Sequence, residues 1–176
     1  RLSETAVQSR IEADLSACIG VPVGWTLFSI HDPRYQTQSV SGICLDTFAI
    51  DTEIDRPDPA VLQVIDSPSN DTKLWTDLFR SNCPVTGQPD WATVVVQYSA
   101  NVTLIPATVL AYLVSYRHHT GFHEACIERI FCDLKQLLNP DELIVWAGFL
   151  RRGGLDINPV RSLVTTNFLP PRLARH

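Results

Sequence analysis

Apolar positions recur at helical spacing in three stretches of this chain, and cluster or alternate as in strands between them. In residues 4–18, Val7, Ile11, Leu15 and Cys18 stand four, four and three apart, which predicts an amphipathic helix ended by Gly20. The segments "VPVGWTLFSI" (21–30) and "ICLDTFAID" (43–51) hold β-branched and aromatic residues without a helical period, so both are predicted to be strands, joined by the loop "HDPRYQTQSVSG". Acids, prolines and turn formers then dominate "DTEIDRPDP" and "DSPSNDT", with the weak apolar segment "VLQVI" between them as a possible strand. A boundary between two structural units is expected here, dividing residues 1–58 from 59–176.

Beyond it, "WATVVVQYS" (91–99) is the clearest strand of the chain. Pro106 suits a first helical turn, and Val109, Leu110, Leu113, Val114 and Tyr116 form a buried stripe as far as about His118. In "FHEACIERIFCDLKQLLNP" the residues Phe122, Cys126, Ile130, Leu134 and Leu137 recur at helical spacing until Asn139-Pro140 ends the run. A further strand, "ELIVWAGFL" (142–150), leads into "RRGGLDINP". Strand, helix, helix, strand is an α+β order in which two helices cover one face of a sheet. The first unit has the order of the back half of such a module, though no exact repeat supports a duplication.

Composition narrows the function. An apolar fraction of 45% with 19% charged residues is that of a globular chain, and a net charge of -5 gives no long-range field to gather nucleic acid or an anionic membrane. A small-molecule ligand is expected instead. No apolar run reaches the roughly 18–20 residues of a membrane span, and the opening "RLSETAVQSR" lacks a signal-peptide layout, so a cytoplasmic location is expected. Five cysteines without a CxxC pair suit reduced thiols. The chain opens directly on a helical pattern without methionine, as a piece of something longer would.

The densest set of turn formers is "SNCPVTGQPDWA" (81–92), which is hard to explain as packing. Cys83 sits there with Arg80 three residues before it and Asp90 seven after; a thiol reacts as thiolate, and a neighbouring carboxyl group can carry its proton. In "YRHHTGFHEAC", His119 and His123 stand four apart, a spacing at which two imidazoles can share a metal on one helix, but Gly121 between them argues for a junction. Alternatively Glu124, in the first turn of its helix, accepts N–H bonds from a polar heterocycle that His123 also contacts, or simply favours the helix N-terminus. In "RRGGLDINP" two arginines and exposed glycine amides suit a phosphate-bearing ligand, or form a tight turn with surface charge; no standard nucleotide fingerprint is present.

Taken together, "SNCPVTGQPDWATVVVQY", "YLVSYRHHTGFHEACIERIFCDL" and "RRGGLDINPVRS" closely resemble the NADPH-dependent 7-cyano-7-deazaguanine reductases, the nitrile reductases of queuosine biosynthesis and hence of tRNA modification, in their two-module form. The resemblance implies the tunnelling fold (T-fold), an α+β module of antiparallel strands backed by two helices, with residues 1–58 the remainder of a first module and 59–176 the second. It implies that Cys83 attacks the nitrile carbon to give a covalent thioimide, that Asp90 acts as acid and base, and that NADPH delivers hydride twice. Glu124 and His123, with Phe122 beside them, match the family's substrate-binding residues; Arg151, Arg152, Gly153 and Gly154 match its cofactor segment; no metal is implied. A homo-oligomer is expected because open sheet edges pair. The family's Glu-Ser-Lys-Ser type segment is missing at Ile105-Pro106-Ala107-Thr108, which fits the two-module form with its first module truncated at the N-terminus. Two other readings compete: a zinc-dependent cyclohydrolase-like enzyme using Cys83, His119 and His123, and a catalytically silent pterin- or purine-binding module.

Overall fold

The computed structural model describes residues 3–50, 54–165 and 168–175. These form two compact units, residues 1–36 and 37–176. The sequence placed the boundary at 58/59; the compact units divide at 36/37.

In the first unit, α1 (Glu4–Ile19) begins at the N-cap Ser3, whose hydroxyl accepts the Ala6 N–H, and ends at Gly20 in the left-handed region. The expected strand over 21–30 is absent. That segment instead runs back along α1, whose side chains take the place of a strand partner. Ser16 Oγ accepts the Val23 N–H at 2.9 Å, Glu12 Oε1 accepts the Trp25 N–H at 3.1 Å, and Gln8 Nε2 donates to the Trp25 carbonyl at 3.0 Å. Strand propensity without a partner strand makes no ladder.

The second unit is α+β. In chain order it contains β1 (Ile43–Cys44), β2 (Val64–Ile65), β3 (Ser69–Asn82), β4 (Pro89–Ala100), β5 (Thr103–Leu104), α2 (Pro106–Val114), α3 (His123–Leu138), β6 (Glu142–Phe149) and β7 (Val160–Ser162). The main sheet has the order β1-β3-β4-β6-β7, antiparallel except for the parallel β1–β3 pair; β2 and β5 form a separate short ladder. Only the first two residues of the strand expected over 43–51 pair, and Leu45–Thr47 turn as a 3-10 helix. Asp51, at the end of that expectation, lies outside the described residues.

Asp46, within this turn, satisfies a bulge in β3. The β3–β4 register slips by one residue between Thr76 and Phe79, a bulge that leaves an extra backbone group unpaired. Asp46 supplies the missing acceptor: its Oδ2 takes the Asp77 N–H at 3.1 Å, and its Oδ1 takes the Thr76 hydroxyl. Because side chains alternate along a strand, the extra residue switches the parity, so that Leu74 and Thr76 before it and Phe79 and Ser81 after it are all buried. The bulge thereby fixes which way the end of β3 faces.

Both helices pack on one face of this sheet. Val109, Leu110 and Leu113 of α2 and Ile127, Ile130 and Leu134 of α3 share a core with Leu74, Phe79, Val94, Val96, Leu143, Val145 and Phe149 from the strands. Helix α3 keeps its period from Cys126 to Leu138 and stops at Asn139, which takes the left-handed conformation ahead of Pro140. On the opposite face Val95, Trp146 and Leu173 form a smaller cluster, and Phe168 of the C-terminal segment packs on Trp146. No helix among the described residues is long and apolar enough to cross a membrane.

Gly42 marks the tightest backbone approach. Its φ is 112°, and a Cβ there would stand 2.4 Å from the Lys73 carbonyl oxygen. Gly42→Ala is therefore expected to destabilise the second unit by about 2–3 kcal/mol, read as a lower urea midpoint with unchanged slope.

Candidate active site

The β3–β4 connection holds the candidate nucleophile in a closed loop. The Cys83 N–H donates to the Gln88 carbonyl at 2.8 Å and its carbonyl accepts the Gly87 N–H at 2.9 Å. Thr86 Oγ1 accepts the Gln88 N–H at 3.3 Å, which leaves its hydroxyl proton for the sulfur. Hydrogen bonds from that hydroxyl first, then from the Thr86 and Val85 amides, pull the Cys83 thiol below its ordinary pKa, with the charge of Arg152 adding to them. A half-buried thiol with stabilised thiolate has the character of a reactive cysteine. Cys126 is the opposite case: burial pushes its pKa up to about 11.

Asp90, near the start of β4, is only 6% exposed. Its Oδ1 accepts a hydrogen bond from Arg152 Nη2, and its Oδ2 lies 3.1 Å from His123 Nε2. His123 opens α3, is itself 7% exposed, and stacks on Phe149 with ring centroids 4.0 Å apart. Its ring is thereby held in one orientation.

Asn82 joins these pieces. Its N–H donates to the His119 carbonyl at 2.9 Å, its carbonyl accepts the Gly121 N–H at 3.1 Å, and its side-chain amide donates to the Arg117 carbonyl at 3.2 Å. The residue before the nucleophile thus fastens the segment that leads into α3. Phe122 follows in extended conformation with 60% of its surface exposed, and Glu124 stands exposed in the first helical turn.

The result is one cleft of about 200 Å³, lined by Cys83, Pro84, Asp90, Gly121, Phe122, His123, Glu124, Arg152 and Ile157. Five residues singled out in the sequence meet here: Cys83, Asp90, Phe122, His123 and Glu124. From the arginine–glycine segment only Arg152 joins them. Arg151 is held by Asp156, with Nε–Oδ1 at 2.6 Å. Gly153 and Gly154, with φ of 57° and 84°, make the two central positions of a tight turn closed by Arg152 and Leu155. His119 packs its ring against Tyr116, while His123 faces Asp90, and among the described residues no three His, Cys, Asp or Glu side chains gather as a metal site. Thr86, Asn82 and Ile157 were not singled out. Thr86 and Asn82 lay inside the turn-dense stretch, but their roles run through backbone groups that a residue pattern does not display.

Chemically, the cleft offers a thiol drawn toward its thiolate, a buried carboxyl group, an exposed aromatic ring and an exposed carboxyl side chain. Residues 89–167 match the family described as QueF-like protein, which includes Asp90, Phe122, His123, Glu124 and Arg152. The chain is 45% identical over 163 residues to the NADPH-dependent 7-cyano-7-deazaguanine reductase of Burkholderia vietnamiensis, covering 91% of this chain and 59% of that protein. It is 44% identical over 167 residues to the reductase of the same name from Acinetobacter baumannii, covering 94% and 61%. With the same enzyme from Burkholderia orbicola the identity is 43% over 174 residues, 96% and 61% covered. Among solved structures, the apo form of the archaeosine synthase QueF-Like aligns with a TM-score of 0.46 at 20% identity, over 62% of this chain and 97% of that one. The chain spans about three fifths of the length of the curated relatives it matches. Over more than nine tenths of its own length, the chain is a homologue of the NADPH-dependent 7-cyano-7-deazaguanine reductases.

Proposed function

We propose that this chain carries the reacting half of a nitrile reductase that converts 7-cyano-7-deazaguanine to its 7-aminomethyl product, as in queuosine biosynthesis. The observation that carries the reading is the placement of a thiolate-prone Cys83 and a buried Asp90 in one cleft walled by Phe122, His123 and Glu124.

A nitrile carbon is a poor hydride acceptor until a soft nucleophile adds to it. Cys83 sulfur forms a bond to that carbon, one C–N π bond breaks, and the nitrogen takes a proton that Asp90 relays from the thiol; the product is a thioimide. Phe122 presents an exposed ring for stacking on the flat deazaguanine, and Glu124 accepts its ring N–H groups. His123 steadies Asp90 from the cleft wall. A cleft of about 200 Å³ suits one bicyclic ring and not a dinucleotide as well. Arg151 and Arg152, the cations expected for the cofactor, each have a carboxylate partner. The described cleft therefore holds one bicyclic ring without the cofactor; NADPH, when bound, would supply the hydride.

Two structural readings accompany this proposal. The tandem arrangement, with residues 1–58 the remainder of a first module and 59–176 a second, stays part of this proposal beside a division of the compact units at 36/37. The antiparallel core strands with α2 and α3 on one face support the tunnelling fold.

Incubation with 7-cyano-7-deazaguanine and NADPH is expected to oxidise two NADPH per aminomethyl product, measured by absorbance and mass spectrometry. Cys83→Ala should abolish product, and Asp90→Asn should slow it by about 10²–10⁴-fold. Product from Cys83→Ala at an undiminished rate would exclude the thioimide route. Thr86→Val, which removes the hydroxyl bonded to the sulfur, should move the pH midpoint of Cys83 alkylation upward; an unchanged midpoint would contradict the role given to Thr86.

A further inference from the structure

The cleft is lined by two groups that can carry negative charge. Cys83 is drawn toward its thiolate, and Asp90 is a carboxyl group almost wholly removed from water. A buried charge needs a partner, and a like charge nearby disfavours ionisation of both. The titratable and charged side chains facing this pair are Arg152 from the turn after β6, and His123, Glu124 and Cys126 from α3. Arg80, on β3, is engaged elsewhere, with Nη2 on Asn82 Oδ1 at 3.2 Å and its guanidinium over the Trp91 ring.

Arg152 alone among these brings a permanent cation to the carboxylate. Its Nη2 donates to Asp90 Oδ1, opposite the oxygen that faces His123, and the same guanidinium interacts with Cys83. The turn explains the selection of one arginine from two: Gly153 and Gly154 reverse the chain, Asp156 holds Arg151, and Arg152 is left pointing into the cleft. An arginine committed in this way is poorly placed to serve as an open phosphate clamp.

We propose that Arg152 is the shared counter-ion that lets a buried Asp90 carboxylate and an ionisable Cys83 occupy one cleft, rather than a ligand of the cofactor phosphates. Its chemical purpose rests on the nitrile-reductase reading, because only there must the thiolate and the carboxyl group work in the same step. Its physical content does not. Without Arg152 both its direct attraction for the thiolate and its offset of the Asp90 charge are lost, and thiolate formation becomes harder; without Asp90 only the direct attraction remains.

The test is the rate of Cys83 alkylation by iodoacetamide across pH in the full chain, followed by peptide mass. The exposed Cys18 and Cys132 serve as internal references in the same sample. Arg152→Ala is expected to slow Cys83 alkylation at pH 7 by about three- to tenfold and to raise its pH midpoint, as removal of a nearby cation should. Arg152→Gln, which keeps polar bulk without charge, should behave the same and stands in if the alanine variant does not fold; Arg152→Lys should recover most of the rate. Asp90→Asn should not slow alkylation, and adding Arg152→Ala to it should slow the rate by less than it does in the parent chain, the non-additivity of coupled residues. An unchanged Cys83 profile in the charge-removing variants would overturn the proposal, most decisively if the same variants raised the KM for NADPH. Equal slowing with and without Asp90 would also overturn it, since Arg152 would then serve the thiol alone. Neither nitrile nor cofactor enters this assay, so absent turnover would sink the reductase reading alone, and an unmoved alkylation profile the counter-ion alone.

Discussion

A carboxylate taken almost out of water must be paired, and the pairing of Asp90 is the constraint around which this site is built. Its two oxygens are met from two different elements, by Arg152 from the turn after β6 and by His123 from the first residue of α3. Asp90 itself comes from β4. Three parts of the fold are thus held at one point by charge and hydrogen bonding, and Cys83 is set in the same cleft by the loop that precedes β4. The stacking of His123 on Phe149 extends the same arrangement into the hydrophobic core.

What delivers Cys83 to this place is backbone geometry more than side-chain chemistry. The bulge in β3, satisfied by Asp46, turns Phe79 and Ser81 inward and so determines the facing of Asn82 at the strand end. Asn82 then pairs with residues 119–121 as a short parallel bridge. One strand end therefore locates both the nucleophilic loop and the entry to the helix bearing Phe122, His123 and Glu124. In the proposed mechanism, substrate capture and nucleophilic attack would depend on the same few hydrogen bonds.

Much of this was legible in the sequence where periodicity is strong. Helices α2 and α3 and strands β4 and β6 follow from their apolar spacing, because each buries one face in the shared core. Strand β3 was hidden for physical reasons: it begins in "SND", which reads as a turn, and its alternation is broken at Asp77-Leu78 by the bulge. The segment 21–30 erred the other way, with strand-forming residues whose backbone partners are the side chains of α1. At the site, Cys83 and Asp90 stood out as functional residues in an unusually turn-rich loop. The charge of Arg152 was visible too, but its partner lies 62 residues away, a distance across which composition carries no pairing information. Thr86 and Asn82 show the remaining limit, since their work is done through hydrogen bonds that exist only once the loop has closed.

The central claim is that this cleft captures a nitrile on Cys83. Its most direct test is the mass of the folded protein after incubation with 7-cyano-7-deazaguanine in the absence of NADPH, with peptide mapping of the product. The account predicts a gain of one substrate mass, confined to the peptide that contains Cys83. A folded protein that gains no mass, or that carries the adduct on another cysteine, would contradict it.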